Sequence, residues 1–247
     1  LQCKKAARPR ILYLNTSRGG GGRMLGASGQ RRGAAALALC LAAAFLLRLG
    51  LSALTPAALP ADAAAALPPE GAKLIALTFD DGPRRSTTTK LLDGLAERGV
   101  HATFFLIGAQ SEGSEELVLR MDQEGHQIGI HTFDHVRLTG LSATDFAGQV
   151  DRTRTLLENI LGHDSFLLRP PYGMIDRGVE LRAGAPIILW SVDPEDWRDR
   201  DTAREVSHIL SQARDGSIGL LHDIYPESVE SALQVVDALH QEGYLFC

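Results

Sequence analysis

Hydrophobic and polar positions alternate in blocks along the chain from Leu74 onward. Short apolar runs are separated by longer stretches in which apolar residues recur at steps of three and four. The first kind of block is typical of buried parallel strands, and the second is typical of amphipathic helices. The strands that this pattern predicts are Leu74–Phe79, Ala102–Ile107, Gln127–His131, Phe166–Arg169, Pro186–Val192, Ser217–His222 and Tyr244–Cys247.

Two of the intervening helices have readable starts. Ser142 is a predicted N-cap, with Asp145 three residues later, and Thr202 with Glu205 repeats the same capping pattern. Alternation of strands and helices implies parallel strands with helices outside them. Since there are seven strand segments, we predict an α/β fold in the form of a distorted seven-stranded (β/α) barrel.

Polar residues stand at the C-terminal ends of several predicted strands. Asp80 and Asp81 end an otherwise apolar run, although burying two adjacent carboxylates without a partner is costly. The other polar residues at strand ends are His131, Arg169, Asp193 and His222. Because the C-terminal rim of such barrels carries the chemistry, we expect the functional site there.

His131 and His135 form a His-x-x-x-His pair directly after a predicted strand. By itself this pair is weak evidence for a metal site and fits two surface histidines better. Together with Asp81 at a neighbouring strand end it makes three ligands, and three protein ligands with an open position are typical of catalytic zinc. The sequence therefore favours a divalent cation beside the two aspartates.

Five short stretches, in this order and spacing, resemble the motifs of the polysaccharide deacetylase family, also called the NodB-homology domain or carbohydrate esterase family four. They are TFDDGP (Thr78–Pro83), HTFDH (His131–His135), RPPYG (Arg169–Gly173), DPEDW (Asp193–Trp197) and LLH (Leu220–His222). The resemblance extends over about residues 72–247. It implies a metal-dependent hydrolase that removes acetyl groups from N-acetylated polysaccharide.

The resemblance also implies a role for each motif residue. Asp80 would be the general base, and Asp81, His131 and His135 would hold the metal ion, for which zinc is expected and cobalt or nickel are alternatives. Arg169 would orient the base. His222 would be the catalytic acid, and Asp193 the carboxylate that raises the pKa of His222. The backbone N–H of Tyr172 would donate a hydrogen bond to the oxyanion. Trp197 and Leu220 would form apolar walls of the substrate site.

Two other functions remain open at this stage. Two histidines and a carboxylate also form the triad of non-haem iron oxygenases, although this leaves Asp80, Arg169, Asp193 and His222 without roles. A non-catalytic module that binds glycans through Trp197 is the second alternative. Among deacetylase substrates, peptidoglycan fits an exported protein best, whereas chitin-type oligomers and O-acetylated xylan stay as alternatives.

Charge is unevenly distributed along the chain. Residues 1–61 contain nine basic and no acidic residues, and the rest carries 16 Lys and Arg against all 30 Asp and Glu, a formal charge of −14. An acidic domain repels phosphate backbones, so we expect no nucleic-acid partner. The expected partner is a polysaccharide substrate, and we expect a monomer.

The N-terminal quarter is interpreted as a targeting region. Residues 1–33 form a basic leader in which Met24 is a candidate start, so that the residues before it would be untranslated. Residues 34–54 are a predicted signal peptide or membrane anchor, residues 55–72 a Pro- and Ala-rich linker, and residues 73–247 the catalytic domain. The basic flank predicts that the domain lies outside the cytoplasm, either secreted or anchored at the cell surface.

Overall fold

A parallel sheet organises the part of the chain that the computed structural model describes, residues 69–247. Its strands are β1 (Lys73–Asp80), β2 (Thr103–Leu106), β3 (Gln127–Ile130), β4 (Leu167–Leu168), β5 (Ser217–His222) and β6 (Tyr244–Phe246). The order across the sheet is β4-β3-β2-β1-β5, and β6 pairs with the first residues of β1. Every strand pairing is parallel, which confirms the predicted α/β class.

Helices connect the strands and cover the sheet. They are α1 (Arg85–Glu97), α2 (Gly108–Ser111), α3 (Glu115–Gln123), α4 (Ala143–Leu161), α5 (Arg177–Arg182), α6 (Asp196–Asp199), α7 (Thr202–Gln212) and α8 (Pro226–Gln241), with a 3-10 turn at Pro171–Gly173. Helix α8 packs against α1, α7 and β5. Most of β1 is therefore buried on both faces, which explains why its sequence is a continuous apolar run.

The start of α4 is predicted correctly, whereas the start of α7 is not. The Ser142 side chain accepts a hydrogen bond from the Asp145 backbone N–H, as the capping pattern requires. In α7 the N-cap is Asp201 rather than Thr202, because the Asp201 side chain accepts the Arg204 N–H. A carboxylate one residue earlier thus takes the role that the sequence pattern gave to the hydroxyl.

The predicted distorted seven-stranded barrel is not closed, because residues 186–192 do not form a regular strand. This segment forms only two isolated bridges, Leu168 with Ile187 on one side and Val192 with Gly219 on the other. It therefore spans the gap between β4 and β5 without making a continuous ladder with either. The sheet is an open parallel sheet with an irregular connection where the fifth of the seven strands was expected.

Two features of residues 186–192 explain the missing strand. Pro186 has no N–H to donate to a neighbouring strand. Further along, the carbonyls of Ile188 and Leu189 accept hydrogen bonds from the Arg169 guanidinium, at 3.1 Å and 3.3 Å. These carbonyls therefore accept hydrogen bonds from a side chain and not from the backbone of a neighbouring strand.

The register of the sheet brings the candidate residues to one edge. Asp80, the last residue of β1, pairs with Phe105 of β2 and with His222 of β5. His131 follows β3 directly, and the Arg169 backbone N–H donates to the carbonyl of Ile130 at the end of that strand. Their common position at the carboxyl edge of the sheet follows from parallel pairing.

The predicted leader, the hydrophobic segment at residues 34–54 and the first part of the linker lie outside the described residues. Within residues 69–247, no helix combines the length and the apolar character needed to cross a membrane.

A close contact under the site gives a testable consequence for stability. Gly129 of β3 lies opposite Phe105, and a Cβ at Gly129 would come within 2.4 Å of the Phe105 ring. We expect Gly129→Ala to lower the free energy of unfolding by about 1–3 kcal/mol, because overpacking displaces a rigid ring. Denaturant unfolding measures this change.

The matched control is Gly148→Ala in α4, where an added Cβ meets nothing within 4 Å. Alanine favours a helix interior over glycine by up to about 1 kcal/mol, so this variant should be as stable as the parent or more stable. Equal effects of the two substitutions would contradict the packing argument.

Candidate active site

The centre of the site is an ion pair between Asp80 and Arg169. Arg169 Nη1 lies 2.8 Å from Asp80 Oδ1, and Asp80 is 3% exposed while Arg169 is completely buried. The same guanidinium nitrogen donates to Thr78 Oγ1 at 2.7 Å. These contacts fix one oxygen of the Asp80 carboxylate and leave Oδ2 turned toward the histidines, 3.7 Å from His131 Nε2.

Two aromatic rings complete the surroundings of Arg169. Its guanidinium carbon lies 4.1 Å from the centroid of the Phe105 ring and 5.5 Å from that of Trp190. Stacking on aromatic faces suits the planar, weakly hydrated guanidinium and partly compensates for its removal from water. Arg169 is therefore held on all sides, which fixes the direction in which it aims Asp80.

Asp81, His131 and His135 converge beside this ion pair. One ligand atom from each lies within 4.8 Å of the others. Asp81 Oδ1 is 3.5 Å from His131 Nε2 and 3.4 Å from His135 Nε2. Ligands about 2.0–2.1 Å from a tetrahedral zinc ion stand about 3.4 Å apart, so the spacing fits such a cation.

The hydrogen bonding of this trio also fits a cation. Asp81 Oδ1 is buried and has no hydrogen-bond partner among the described residues. His131 Nδ1 lies 2.7 Å from the backbone carbonyl of Arg169, to which it donates, so its Nε2 carries the free lone pair. Burial lowers the pKa of His131, which keeps the ring neutral and able to bind a metal ion.

The structure gives His222 a different acidic partner from the one expected. His222 Nδ1 lies 2.7 Å from Asp196 Oδ1, and the His222 backbone N–H donates to Asp196 Oδ2, also at 2.7 Å. Asp193 was expected in this position, but its Oδ1 accepts the backbone N–H of Glu195 at 2.9 Å, and its charge acts on Arg169 instead. The pairing of His222 with Asp193 is therefore wrong.

The environment of His222 favours its protonated form. Burial by itself lowers the pKa of His222, but the hydrogen bond and charge of Asp196, with further contributions from Asp80 and Asp81, raise it to about 9. The imidazole is thus a proton donor at neutral pH. Its Nε2, 3.9 Å from Asp81 Oδ2, is the nitrogen that faces the site.

The residues expected to contact substrate lie around the same edge. Tyr172 and Trp197 are 62% and 51% exposed, which leaves both rings available to a ligand. The Tyr172 ring stands edge-on to His135, with centroids 5.0 Å apart. Leu220 is buried in β5 two residues before His222, so it lies on the same face of the strand.

Left-handed backbone conformations are concentrated in the loops of this rim. Non-glycine residues with positive φ in the described part of the chain are Asp81, Thr132, His135, Tyr172, Glu195 and Arg200. All six follow the carboxyl ends of strands or of the irregular 186–192 segment. Such conformations are costly for residues with a Cβ and are typical of functional sites.

Comparisons with known proteins show the family to which the chain belongs. The family model for polysaccharide deacetylases matches residues 68–185. The chitooligosaccharide deacetylase of Sinorhizobium fredii is 34% identical over 192 residues, which cover 71% of this chain and 89% of that protein. The chain belongs to the polysaccharide deacetylase family.

Two further members show the extent of the similarity. The peptidoglycan-N-acetylmuramic acid deacetylase PdaC of Bacillus subtilis is 41% identical over 172 residues, which cover 70% of this chain and 37% of that protein. The chain thus spans just over a third of the length of this relative. A solved structure of peptidoglycan deacetylase PdaC from Bacillus subtilis has a TM-score of 0.69 at 40% identity, covering 71% of this chain and 87% of that chain.

Two buried acids of this polysaccharide deacetylase family member were not among the expected site residues. Asp196 stands next to Trp197 in the fourth motif and is completely buried. Asp223 follows His222 directly, and burial raises the pKa of Asp223 to about 7. The signal for both was an acidic residue inside or beside a motif, but sequence alone does not give the direction of the side chain.

The Asp196 contact predicts a measurable shift in the titration of His222. Asp196→Asn removes the charge that raises the pKa of His222, so we expect that pKa to fall from about 9 by at least one unit. As pH rises, His222 in the variant would then lose its proton at a lower pH than His222 in the parent protein does. NMR titration of the imidazole signals in metal-free protein measures the change.

Asp193→Asn is the matched control, because it makes the same chemical change three residues away. It should leave the pKa of His222 within a few tenths of a unit. A larger shift for Asp193→Asn than for Asp196→Asn would contradict the assignment of the partner.

Proposed function

We propose that this chain is a metal-dependent hydrolase that removes acetyl groups from N-acetylated polysaccharide, releasing acetate and a free sugar amine. The observation that carries the proposal is the convergence of two groups of residues at one edge of the sheet. One is the cation-binding trio of Asp81, His131 and His135, and the other is the pair of proton-transfer groups Asp80 and His222. Family membership supports the same reaction class.

Asp80 is the proposed general base. The Arg169 ion pair occupies Oδ1, so that Oδ2 is the oxygen that can take a proton from the attacking water. Thr78 Oγ1 accepts a hydrogen bond from the same guanidinium nitrogen. The buried contacts of Arg169 thus set the direction of the proposed base.

A divalent cation held by the trio would act as a Lewis acid, which lowers the pKa of water and polarises a carbonyl oxygen. Zinc suits two imidazoles and a carboxylate, and cobalt and nickel accept the same ligands. The backbone N–H of Tyr172 is the proposed hydrogen-bond donor to the oxygen that gains negative charge.

His222 is the proposed general acid. Its Nδ1 is bound to Asp196, so Nε2 donates a proton to the departing sugar nitrogen. The amine leaves as a neutral group, and no covalent intermediate with the protein is required. Asp80 and His222 stand on neighbouring strands, which lets them act on opposite ends of one acetamido group.

Several relatives carry the names of peptidoglycan or chitooligosaccharide deacetylases. We propose a cell-wall glycan as the substrate, with the exposed rings of Tyr172 and Trp197 and the buried Leu220 lining its site. The basic leader and hydrophobic segment at residues 34–54 support a location outside the cytoplasm, secreted or attached to the membrane through that segment.

Acetate release tests the proposal directly. Purified protein, stripped of metal with a chelator, is offered N-acetylated glycans with zinc, cobalt or nickel added back. We expect free acetate only when metal is present, and equal release with and without oxygen, because hydrolysis needs no oxidant. Glycan binding without acetate release on any substrate would instead support a binding module, and a requirement for iron and oxygen would support an oxygenase.

Substitution of the base separates metal binding from turnover. Asp80→Asn keeps a hydrogen-bond acceptor for Arg169 but removes the proton acceptor, so we expect kcat to fall about 10²- to 10⁴-fold with unchanged zinc affinity. Acetate assays and calorimetric zinc titration measure the two quantities. Circular dichroism checks that the variant folds.

The matched control is Asp134→Asn within the HTFDH motif. The Asp134 carboxylate is exposed and accepts a hydrogen bond from Gln149 at 2.7 Å, away from the proposed chemistry. It should retain kcat within a few-fold. Comparable turnover in Asp80→Asn and the parent protein would rule out Asp80 as the base.

A further inference from the structure

Asp223 is a buried acid that the proposed reaction does not use. It follows His222 at the end of β5, and its side chain is completely inaccessible to solvent. Thr88 Oγ1 in the first turn of α1 donates a hydrogen bond to Asp223 Oδ2. The other oxygen, Oδ1, is buried and has no hydrogen-bond partner among the described residues. Burying a carboxyl group costs free energy, so a compensating role is expected for Asp223.

The Asp223 carboxyl group packs directly on the turn that carries the cation ligand. A Cβ at Gly82 would lie 2.4 Å from Asp223 Oδ1 and 2.5 Å from Oδ2, so only glycine fits there. Gly82 immediately follows Asp81, whose φ is 73°. The backbone at Asp81 therefore lies in a left-handed conformation with the Asp223 side chain pressed against the next residue.

Further hydrogen bonds join the same two loops. The Arg84 backbone N–H donates to Thr88 Oγ1 at 2.8 Å, which places the hydroxyl for its bond to Asp223. Arg84 Nη1 donates to the carbonyl of Ile224 at 2.9 Å. These hydrogen bonds join the loop after β1 and the start of α1 to the loop after β5.

We propose that Asp223 is a positioning residue that holds the Asp81 carboxylate in its cation-binding place relative to His222. A left-handed residue with a Cβ persists only where its surroundings enforce that conformation. Asp223 supplies this constraint by filling the space behind Gly82 and by binding Thr88. Without it, the turn can relax toward negative φ, which swings the Asp81 carboxylate away from His131 and His135. The inference rests on the proposed metal site.

Two substitutions at Asp223 distinguish positioning from general stability. Asp223→Ala removes both the carboxyl group that packs against Gly82 and the hydrogen-bond acceptor for Thr88. Asp223→Asn keeps the shape of the side chain and one acceptor oxygen. We expect Asp223→Ala to weaken zinc affinity about 10- to 100-fold, in the range found for groups that orient metal ligands. Asp223→Asn should bind zinc within a few-fold of the parent protein. Competition with a chromophoric chelator measures the affinities in the full chain.

The visible absorption spectrum of the cobalt-loaded protein gives a second readout that does not depend on turnover. It reports the coordination geometry, so a displaced Asp81 carboxylate should change its band positions in Asp223→Ala and leave them unchanged in Asp223→Asn. If Asp223→Ala melts at lower temperature but binds zinc and cobalt as the parent does, Asp223 is only structural and the proposal is overturned.

If Asp223→Ala fails to fold, Thr88→Val tests the positioning role of Asp223 instead. It removes the hydroxyl that binds Asp223, and the matched control Thr87→Val makes the same change at the neighbouring buried residue, whose hydroxyl faces the carbonyl of Arg84. We expect weaker zinc binding only in Thr88→Val. Equal zinc affinities for the two valine variants would overturn the positioning role while leaving the proposed function intact. Absence of zinc binding in the parent protein would overturn both.

Discussion

The burial of the Arg169 guanidinium is the constraint on which the rest of this molecule depends. Removing an ion pair from water costs several kcal/mol per ion, and the attraction between the partners recovers this only with good geometry and further hydrogen bonds. Here four hydrogen bonds are provided by Asp80, by the Thr78 hydroxyl, and by two backbone carbonyls of the irregular segment at residues 186–192. The loss of a regular strand at residues 186–192 is the structural cost of satisfying this one side chain.

The backbone of Arg169 organises the site as much as its side chain does. Its N–H continues the pairing with the end of β3, and its carbonyl accepts the Nδ1 proton of His131. One residue therefore aims the proposed base and also fixes the tautomer of a proposed metal ligand. Because both tasks share a single rigid position, a shift of the strand end would disturb proton transfer and cation binding together.

Parallel strands explain how much of the site was visible in the sequence. Asp80, Asp81, His131 and Arg169 each end or follow an apolar run, and parallel pairing brings such positions to one edge. Pro186 is a visible sign of the irregular segment, but the guanidinium that binds its Ile188 and Leu189 carbonyls comes from outside the segment and could not be read from its apolar composition. The partner of His222 was missed for a local reason. Glu195 has a φ of 53°, so the chain reverses between Asp193 and Asp196 and turns only the second carboxylate toward the histidine.

The left-handed residues of the rim have a consequence for the evolution and engineering of this protein. Each costs about 1–3 kcal/mol relative to a relaxed backbone, and glycine would remove most of that cost. At Asp81 and His135, however, glycine would also delete a side chain of the proposed cation site. A directed-evolution library screened for thermal tolerance alone would therefore enrich robust but inactive descendants. Heat resistance and turnover need to be selected together.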